Sequence, residues 1–417
     1  MLYTDLAALA EQHGHPFYLY EEEKIAAQLA LLQRTFQEFT ILYSIKTNPH
    51  PEICRFMACS GVGADAASSY EVGRALDAGI KPEDIFYSAP GKTVKEIADG
   101  LGKCVITADS YNELLRLETM AKESGLFTPD EPMPVGLRIN PDMSFQAGEF
   151  PEITKGVSSK FGVDEESLTA HKELFASLRY VRLRGIHVFL RSQVLNHASL
   201  ATYFEKAFAL GVRCKEEFGG DISFINFGGG LGIAPTADSP GLDIHALRES
   251  IRELVAAYSP LLPGCRLYLE SGRFLVGAAG TFVTRIEDVK TSRGKTYVIA
   301  PGCLNGFLRP SVMNLLGGLP VPVKGPYEPL YSNSSAHRIA LPGKQGEARP
   351  VTVCGNLCTS LDAVATDVPL PDPQVGDLLT ISNAGAYAAT LSPSGFGSFP
   401  APVEIYMGKD GTFRHVP

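Results

Sequence analysis

Between about residues 40 and 270 the chain alternates eight short apolar, strand-like runs with amphipathic, helix-like stretches. This alternation calls for parallel strands joined by helical crossovers, because a short turn cannot return the chain to the same end of a sheet. The first run, ILYSIK at 41–46, puts Leu42, Ser44 and Lys46 on one face and Ile41, Tyr43 and Ile45 on the other. Thr47, Asn48 and Pro49 break it, and a helix is expected over 51–58. A second run, 62–67, precedes Ser68 and Glu71, which have the spacing of a capping box for a helix ending near Gly79. Further strands are expected at 85–88, 104–107, 135–140, 183–189, 222–227 and 266–270. LATYFEKAFALGVRCKEEFG and DIHALRESIRELVAAY are among the helices between them.

Eight such repeats fit a TIM-type (β/α)8 barrel, with an open doubly wound sheet as the competing topology. After residue 275 the texture changes. GTFVTRIEDVK, KTYVIAP, RPVTVCG, GDLLTISN and PVEIYM are short β-type runs divided by Gly, Pro and Asn. The expected organisation is α/β, with a barrel over 25–275 and a C-terminal β domain over 276–417, joined by residues 1–24 through PFYLY.

A net charge of −9 with no long single-sign block offers no basic surface to nucleic acid or to an anionic membrane. MLYTDLAALAEQHG has two acidic residues and no uninterrupted apolar core, unlike a signal peptide or a membrane span, so a cytoplasmic location is expected. Eight scattered cysteines without CxxC pairs or zinc-type His/Cys spacing point away from a disulfide framework and a structural metal.

In a barrel, chemistry gathers at the C-terminal ends of the strands. This chain places Lys46, Asp65, Arg138, His187, Phe189, Gly228, Gly229, Gly230, Glu270, Gly272 and Arg273 there. Singly each is ordinary: a terminal lysine is usually solvated, a GGG is often a turn, and a strand histidine is often a core residue. Together they carry more. GGGLG follows the seventh strand, where barrels commonly bind phosphate, and glycine lets backbone N–H groups approach an anion closely. Arg273 could add a bidentate cation. With a lysine to hold an aldehyde and Glu270 to face a pyridine nitrogen, the set points to pyridoxal 5'-phosphate.

YSIKTNPHP, GVGADAASSYEV, LRINPD, SKFG, FINFGGGLGI, ESGR, CGNLCTSLD and NAGAY jointly resemble the fold-type III pyridoxal phosphate decarboxylases, the diaminopimelate, ornithine and arginine decarboxylase group. The resemblance covers nearly the whole chain. It implies an alanine racemase-like two-domain architecture in which Lys46 holds the cofactor and Glu270 pairs with its pyridinium nitrogen. It places Ser192, Gly228 to Gly230, Arg273 and Tyr387 on the phosphate, and Asp65, Arg138, His187, Phe189 and Gly272 around the cofactor. Cys358 would reach the neighbouring subunit's site in a head-to-tail homodimer with shared active sites and help protonate the product. Decarboxylation leaves an electron pair on Cα, which a protonated pyridine absorbs, and an anion such as Glu270 favours that form. A racemase of similar fold uses a cation there. An amino-acid racemase and a non-catalytic cofactor-binding barrel are the alternatives of other classes.

Several positions depart from the family pattern. GIHVFLRSQ stands where the family has GIHxHxGSQ, so Phe189 could stack on the cofactor but carries no proton. Arg191 replaces a glycine and either reaches a substrate anion or points to solvent. Thr359 replaces an acid that helps hold a distal amino group, which makes a free diamine-type substrate less suitable. Arg309, in FLRPSVM, matches an arginine that binds a distal carboxylate, but its companion tyrosine is Met313. Asp362 is a further substrate-side candidate. These features favour an amino acid whose far end is carboxylate, amide or thioester, free or carrier-protein-bound, in a specialised biosynthetic pathway. meso-Diaminopimelate decarboxylation for lysine biosynthesis is the alternative. The Gly-, Pro- and Ser-rich segment 317–344 is either an ordered or a mobile substrate loop.

Overall fold

The computed structural model describes residues 3–143, 158–189, 191–218, 221–234, 239–317 and 337–416. The chain divides into two compact units, one of residues 30–232 and 242–272, the other of 1–29, 233–241 and 273–417.

In the first unit eight parallel strands pair in succession: Phe39–Ser44, Gly63–Ala66, Ile85–Ser88, Val105–Ala108, Met133–Asn140, Val181–Val188, Phe224–Asn226 and Arg266–Ser271. The eighth also pairs with the first, through Leu267 to Ser271 against Phe39 to Tyr43, so the sheet closes. Closure excludes the open doubly wound alternative, which would leave two unpaired edges. Helix starts follow their local signals. Thr93 and Glu96 form a complete capping box for Val94–Gly100. Ser68 accepts the Glu71 N–H, but the Glu71 carboxylate takes the N–H of Ala67 instead of that of Ser68, so only half of the expected box forms.

The period of two along each strand sorts the barrel interior into layers. Leu42, Phe86, Phe224 and Tyr268 pack together as an apolar floor. A side chain at Gly185 would lie 2.4 Å from the Phe224 ring, so that glycine leaves the space the ring fills. Two residues further along the same faces stand Ser44, Asp65, Ser88, Thr107, Arg138, His187, Asn226 and Glu270. Every strand therefore contributes one polar side chain to the layer above the floor.

The first strand lies two residues earlier than expected. It ends at Ser44, and Ile45–Thr47 forms a 3-10 turn, so Lys46 leaves the alternating pattern. The Thr47 hydroxyl donates to the Ser44 carbonyl (2.7 Å) and the Asn48 N–H to that of Ile45 (3.0 Å), and these bonds close the turn.

In the second unit, Phe17–Glu21 lies inside a six-stranded sheet, antiparallel to Gly280–Arg285 and parallel to Val403–Met407. The helix Tyr3–His13 packs Leu6, Leu9 and Ala10 against Phe17, Leu19, Val283, Leu378 and Ile405. Full burial of such side chains contributes roughly 1.5–3 kcal/mol each, which ties the N-terminal segment to this unit. Asp288–Ser292, Lys295–Ile299, Ala348–Cys354 and Ala363–Pro371 form a separate four-stranded sheet. Residues 318–336 of the Gly/Pro/Ser-rich segment lie outside the described residues. Among the described residues, no helix is long and apolar enough to cross a membrane.

Candidate active site

At the mouth of the barrel Lys46 Nζ donates to Asp65 Oδ2 at 2.8 Å; the carboxylate is buried and the lysine half-exposed. Glu270 is buried beside two further polar groups of the same layer. The Asn226 amide donates to its Oε1 at 2.9 Å, and His187 Nε2 lies 3.1 Å from the same oxygen. The other ring nitrogen of His187 is 2.8 Å from the Ser88 hydroxyl, so the imidazole bridges the third and eighth strands.

These neighbours push two buried carboxyls in opposite directions. Burial, and then the charge of Glu270, raise Asp65, while Lys46 works the other way. For Glu270 burial is again the largest single influence and would raise it. His187, Lys46 and Asn226 together outweigh burial and bring the carboxyl down to about 2. Glu270 is therefore the more readily ionised of the two.

The glycine run after the seventh strand forms a tight cradle. Gly228 and Gly230 have φ of 61° and 125°. A Cβ on Gly228 would meet the Val188 carbonyl at 2.4 Å, and one on Gly230 the Arg191 carbonyl at 2.6 Å. The Gly228 N–H is already donated to Asn226 Oδ1 (2.9 Å). Those of Gly229 and Gly230 carry no hydrogen bond among the described residues, leaving two backbone donors for an anion. Reciprocal bonds from Val194 to Gly230 (2.8 Å) and from Gly232 to Val194 (3.0 Å) tie this loop to the segment carrying Arg191 and Ser192.

Gly228→Ala is expected to weaken pyridoxal 5'-phosphate binding at least about tenfold, since it combines backbone strain with a clash at the cradle. Gly91→Ala is the control: that residue is also left-handed, but nothing lies within 4 Å of its added methyl. Equilibrium dialysis of the two apoproteins checks the difference.

Phe189 sits beside the cradle, 2.9 Å from where a Gly228 Cβ would be. The Arg138 guanidinium lies over Phe161 at 4.4 Å and near Phe189 at 5.9 Å, with Asp109 3.8 Å away. Arg191 is buried, which rules out the solvent-pointing orientation. Ser192 is half-buried. Gly272 lets the exit of the eighth strand pass against the Lys46 turn, where a Cβ would lie 2.3 Å from Thr47 Cγ2.

The second unit gathers its own candidates. Arg273, buried at the start of Arg273–Val276, lies 5.1 Å from the Tyr387 ring centre. The glycine of NAGAY is required by a close crossing, because a Cβ on Gly385 would lie 1.8 Å from the Val276 carbonyl. Arg309 is buried and donates to the Ala386 carbonyl at 2.6 Å; burial and the like charge of Arg273 hold its pKa well below the usual guanidinium range. Cys358 is exposed. Its loop is organised by Asp362, whose two carboxylate oxygens accept the N–H groups of Leu304 and Leu357, each at 2.8 Å. Thr359 donates its N–H to the Leu357 carbonyl (2.8 Å) within the same loop.

Asn226, Ser88 and Asp109 belong to the barrel set and were not singled out from sequence. The signal was present for two of them. Asn226 in FINF and Ser88 in IFYS stand two residues after a floor phenylalanine and so face inward on strands that are otherwise apolar. Lys92 was also missed. It is fully buried and joins Glu113 (2.5 Å) to the Thr107 carbonyl (2.7 Å), tying down the exit of the fourth strand.

The family described as "Pyridoxal-dependent decarboxylase, pyridoxal binding domain" matches residues 22–277. L-glutamyl-[BtrI acyl-carrier protein] decarboxylase of Niallia circulans is 31% identical over 99% of this chain and 92% of its own. Diaminopimelate decarboxylase of Methanothermobacter thermautotrophicus is 31% identical over 97% of this chain and 89% of its own. The crystal structure of diaminopimelate decarboxylase from Methanocaldococcus jannaschii superposes with a TM-score of 0.85 at 28% identity, covering 98% of this chain and 92% of that one.

Proposed function

Because the chain belongs to the pyridoxal-dependent decarboxylase family and is a pyridoxal phosphate-dependent amino-acid decarboxylase, we propose that it acts on a conjugated amino acid, with glutamate bound to a carrier protein as the leading case. The observation that carries this reading is the state of the Cys358 loop. Its sequence, CGNLCTSLD, holds a single carboxylate, Asp362, and both oxygens of that group accept backbone N–H groups. A substrate with a free distal ammonium would find there only a buried carboxylate already engaged in holding the loop backbone. A relative that acts on a carrier-bound glutamyl group, similar over almost the whole chain, supports the same reading.

The residues present fit the cofactor. Lys46 is half-exposed at the barrel mouth, the neighbours of Glu270 favour its ionised form, and the cradle offers two N–H donors where a side chain would not fit. When bound, pyridoxal phosphate supplies an electron sink for the pair left on the substrate Cα as carbon dioxide departs. In the proposed arrangement Lys46 Nζ holds the cofactor aldehyde and Glu270 favours a proton on the ring nitrogen. Gly229, Gly230, Ser192, Arg273 and Tyr387 receive the phosphate. Gly228 supplies the bend of the cradle, since its N–H is committed to Asn226. Phe189 offers the cofactor ring a flat face that cannot exchange a proton. The Cys358 thiol returns a proton to Cα, serving the site of the partner subunit in a cytoplasmic homodimer. Its exposed position, with exposed Leu361 nearby in sequence, is consistent with a loop that another chain covers.

Arg309 favours a second reading, meso-diaminopimelate decarboxylation, because a buried guanidinium suits a distal carboxylate. Carbon dioxide release from carrier-bound L-glutamate, free L-glutamate, meso-diaminopimelate, L-ornithine and L-arginine separates the two. The expected result is a kcat/KM for the carrier-bound substrate at least about tenfold above every free amino acid, the scale set by one lost polar contact. Efficient turnover of meso-diaminopimelate would sink the conjugate reading and leave the decarboxylase assignment intact.

A further inference from the structure

Asn226 is fully buried at the end of the seventh barrel strand, and its single amide works in two directions. Nδ2 donates to Glu270 Oε1 at 2.9 Å, and Oδ1 accepts the Gly228 N–H, also at 2.9 Å. A third bond closes the triangle, from the Glu270 N–H to the Gly228 carbonyl at 2.8 Å. Asparagine suits this place because it faces a carboxylate with a donor and an N–H with an acceptor. An ionised aspartate would set two carboxylates against each other. Alanine would remove both bonds and leave the buried Glu270 and Gly228 groups less satisfied.

We propose that Asn226 is a positioning residue that holds the Glu270 carboxylate and the first turn of the glycine cradle as one piece, so that recognition of the cofactor's ring nitrogen and of its phosphate is coupled through a single side-chain amide. This rests on the assignment of Glu270 and the cradle to pyridoxal phosphate made above. The coupling has a distinctive consequence for Asn226→Asp. A protonated aspartic acid keeps one donor and one acceptor, and burial beside Glu270 favours that neutral form. The variant should therefore behave like the native protein at low pH and fail as its carboxyl ionises.

The test is equilibrium dialysis of pyridoxal 5'-phosphate against native, N226A, N226D, E270Q and N226A/E270Q apoproteins between about pH 6 and pH 8.5, with circular dichroism as the folding control. N226A is expected to weaken binding about tenfold or more at every pH, the effect of one or two lost hydrogen bonds. N226D should match the native protein near the low end of the range and lose about tenfold toward the high end, each compared at the same pH. N226A should have a smaller effect in the E270Q background than in the native one, as coupling requires. If E270Q weakens binding while N226A and N226D stay within about twofold of native across the range, the inference is overturned. If E270Q leaves binding unchanged, the assignment of Glu270 to the ring nitrogen fails, and the proposed coupling fails with it. If N226A does not fold, the pH dependence of N226D decides, and a flat profile equal to the native one overturns the inference.

Discussion

Lys46→Ala is expected to lower turnover by at least about 10³-fold and to abolish the visible absorbance of the covalently held cofactor, because no other amine can replace a lysine placed to receive the aldehyde. Lys46→Arg serves as the companion. A guanidinium cannot make the same attachment but can still pair with Asp65 across the 2.8 Å gap that Lys46 spans. Both variants should lose turnover, and stability should separate them. In Lys46→Ala the buried Asp65 loses the ammonium that opposes burial and the Glu270 charge, so its already raised pKa rises further. An acid raised in the folded state contributes stability below its unfolded pKa and loses it as pH rises through the folded value. The stability deficit of Lys46→Ala against the native apoprotein should therefore grow as pH is raised from the ordinary carboxylate range, while Lys46→Arg shows little of it. Denaturant midpoints measured across that range check this. Mixing Lys46→Ala with Cys358→Ala subunits tests the shared site: random assembly should restore roughly one quarter of native activity, because half of the dimers then hold one intact site. No recovery after verified subunit exchange would count against a site completed by Cys358 of the partner subunit.

Glu270→Gln is expected to reduce kcat by about 10²–10³-fold, the scale of losing one preorganised electrostatic group. The amide keeps the shape and can still accept from Asn226, so the loss isolates the charge. Stability offers a second readout in the apoprotein. Glu270 is brought from an ordinary 4.5 to about 2 by His187, Lys46 and Asn226 acting against burial. An acid lowered in the folded state contributes stability above its unfolded pKa and loses it as pH falls toward the folded one. The advantage of the native protein over Glu270→Gln should accordingly be full above about pH 4.5 and shrink as pH falls toward about 2. A constant difference across that window would mean that the fold does not hold Glu270 below the ordinary carboxylate range, and a variant with native kcat would remove it from the role of favouring the ring-nitrogen proton.

Much of the site was legible because barrel chemistry and strand ends coincide. Asp65, Arg138, His187 and Glu270 fall on the inward polar layer, where the strand alternation of FINFGGGLGI and its counterparts places such residues. Lys46 was reached by its rim position although the turn Ile45–Thr47 takes it off the strand face used to place it. What stayed hidden are relations across strands. Nothing in the local sequence joins Ser88 to His187, 99 residues away, or Asn226 to Glu270, 44 residues away. Nor does a list of candidates say that Gly228 spends its N–H inside the protein while those of Gly229 and Gly230 find no acceptor among the described residues. Asp362 shows the same limit, since its carboxylate is committed to Leu304 and Leu357, one of them 58 residues distant.

The sequence by itself determined the alternation of strands and helices, the family and the cofactor, and singled out Lys46 as the candidate to hold it, because these depend on periodicity and on motifs a few residues long. Only the tertiary structure decided which polar groups share a layer and which carboxyl of a buried pair ionises more readily. Barrel closure brings the eighth strand against the first and sets residues from every strand around one axis. The charge on Glu270 depends on neighbours from the sixth and seventh strands and from the turn after the first. Electrostatics in a buried site is a property of distances between strands, and those distances exist only once the sheet has closed.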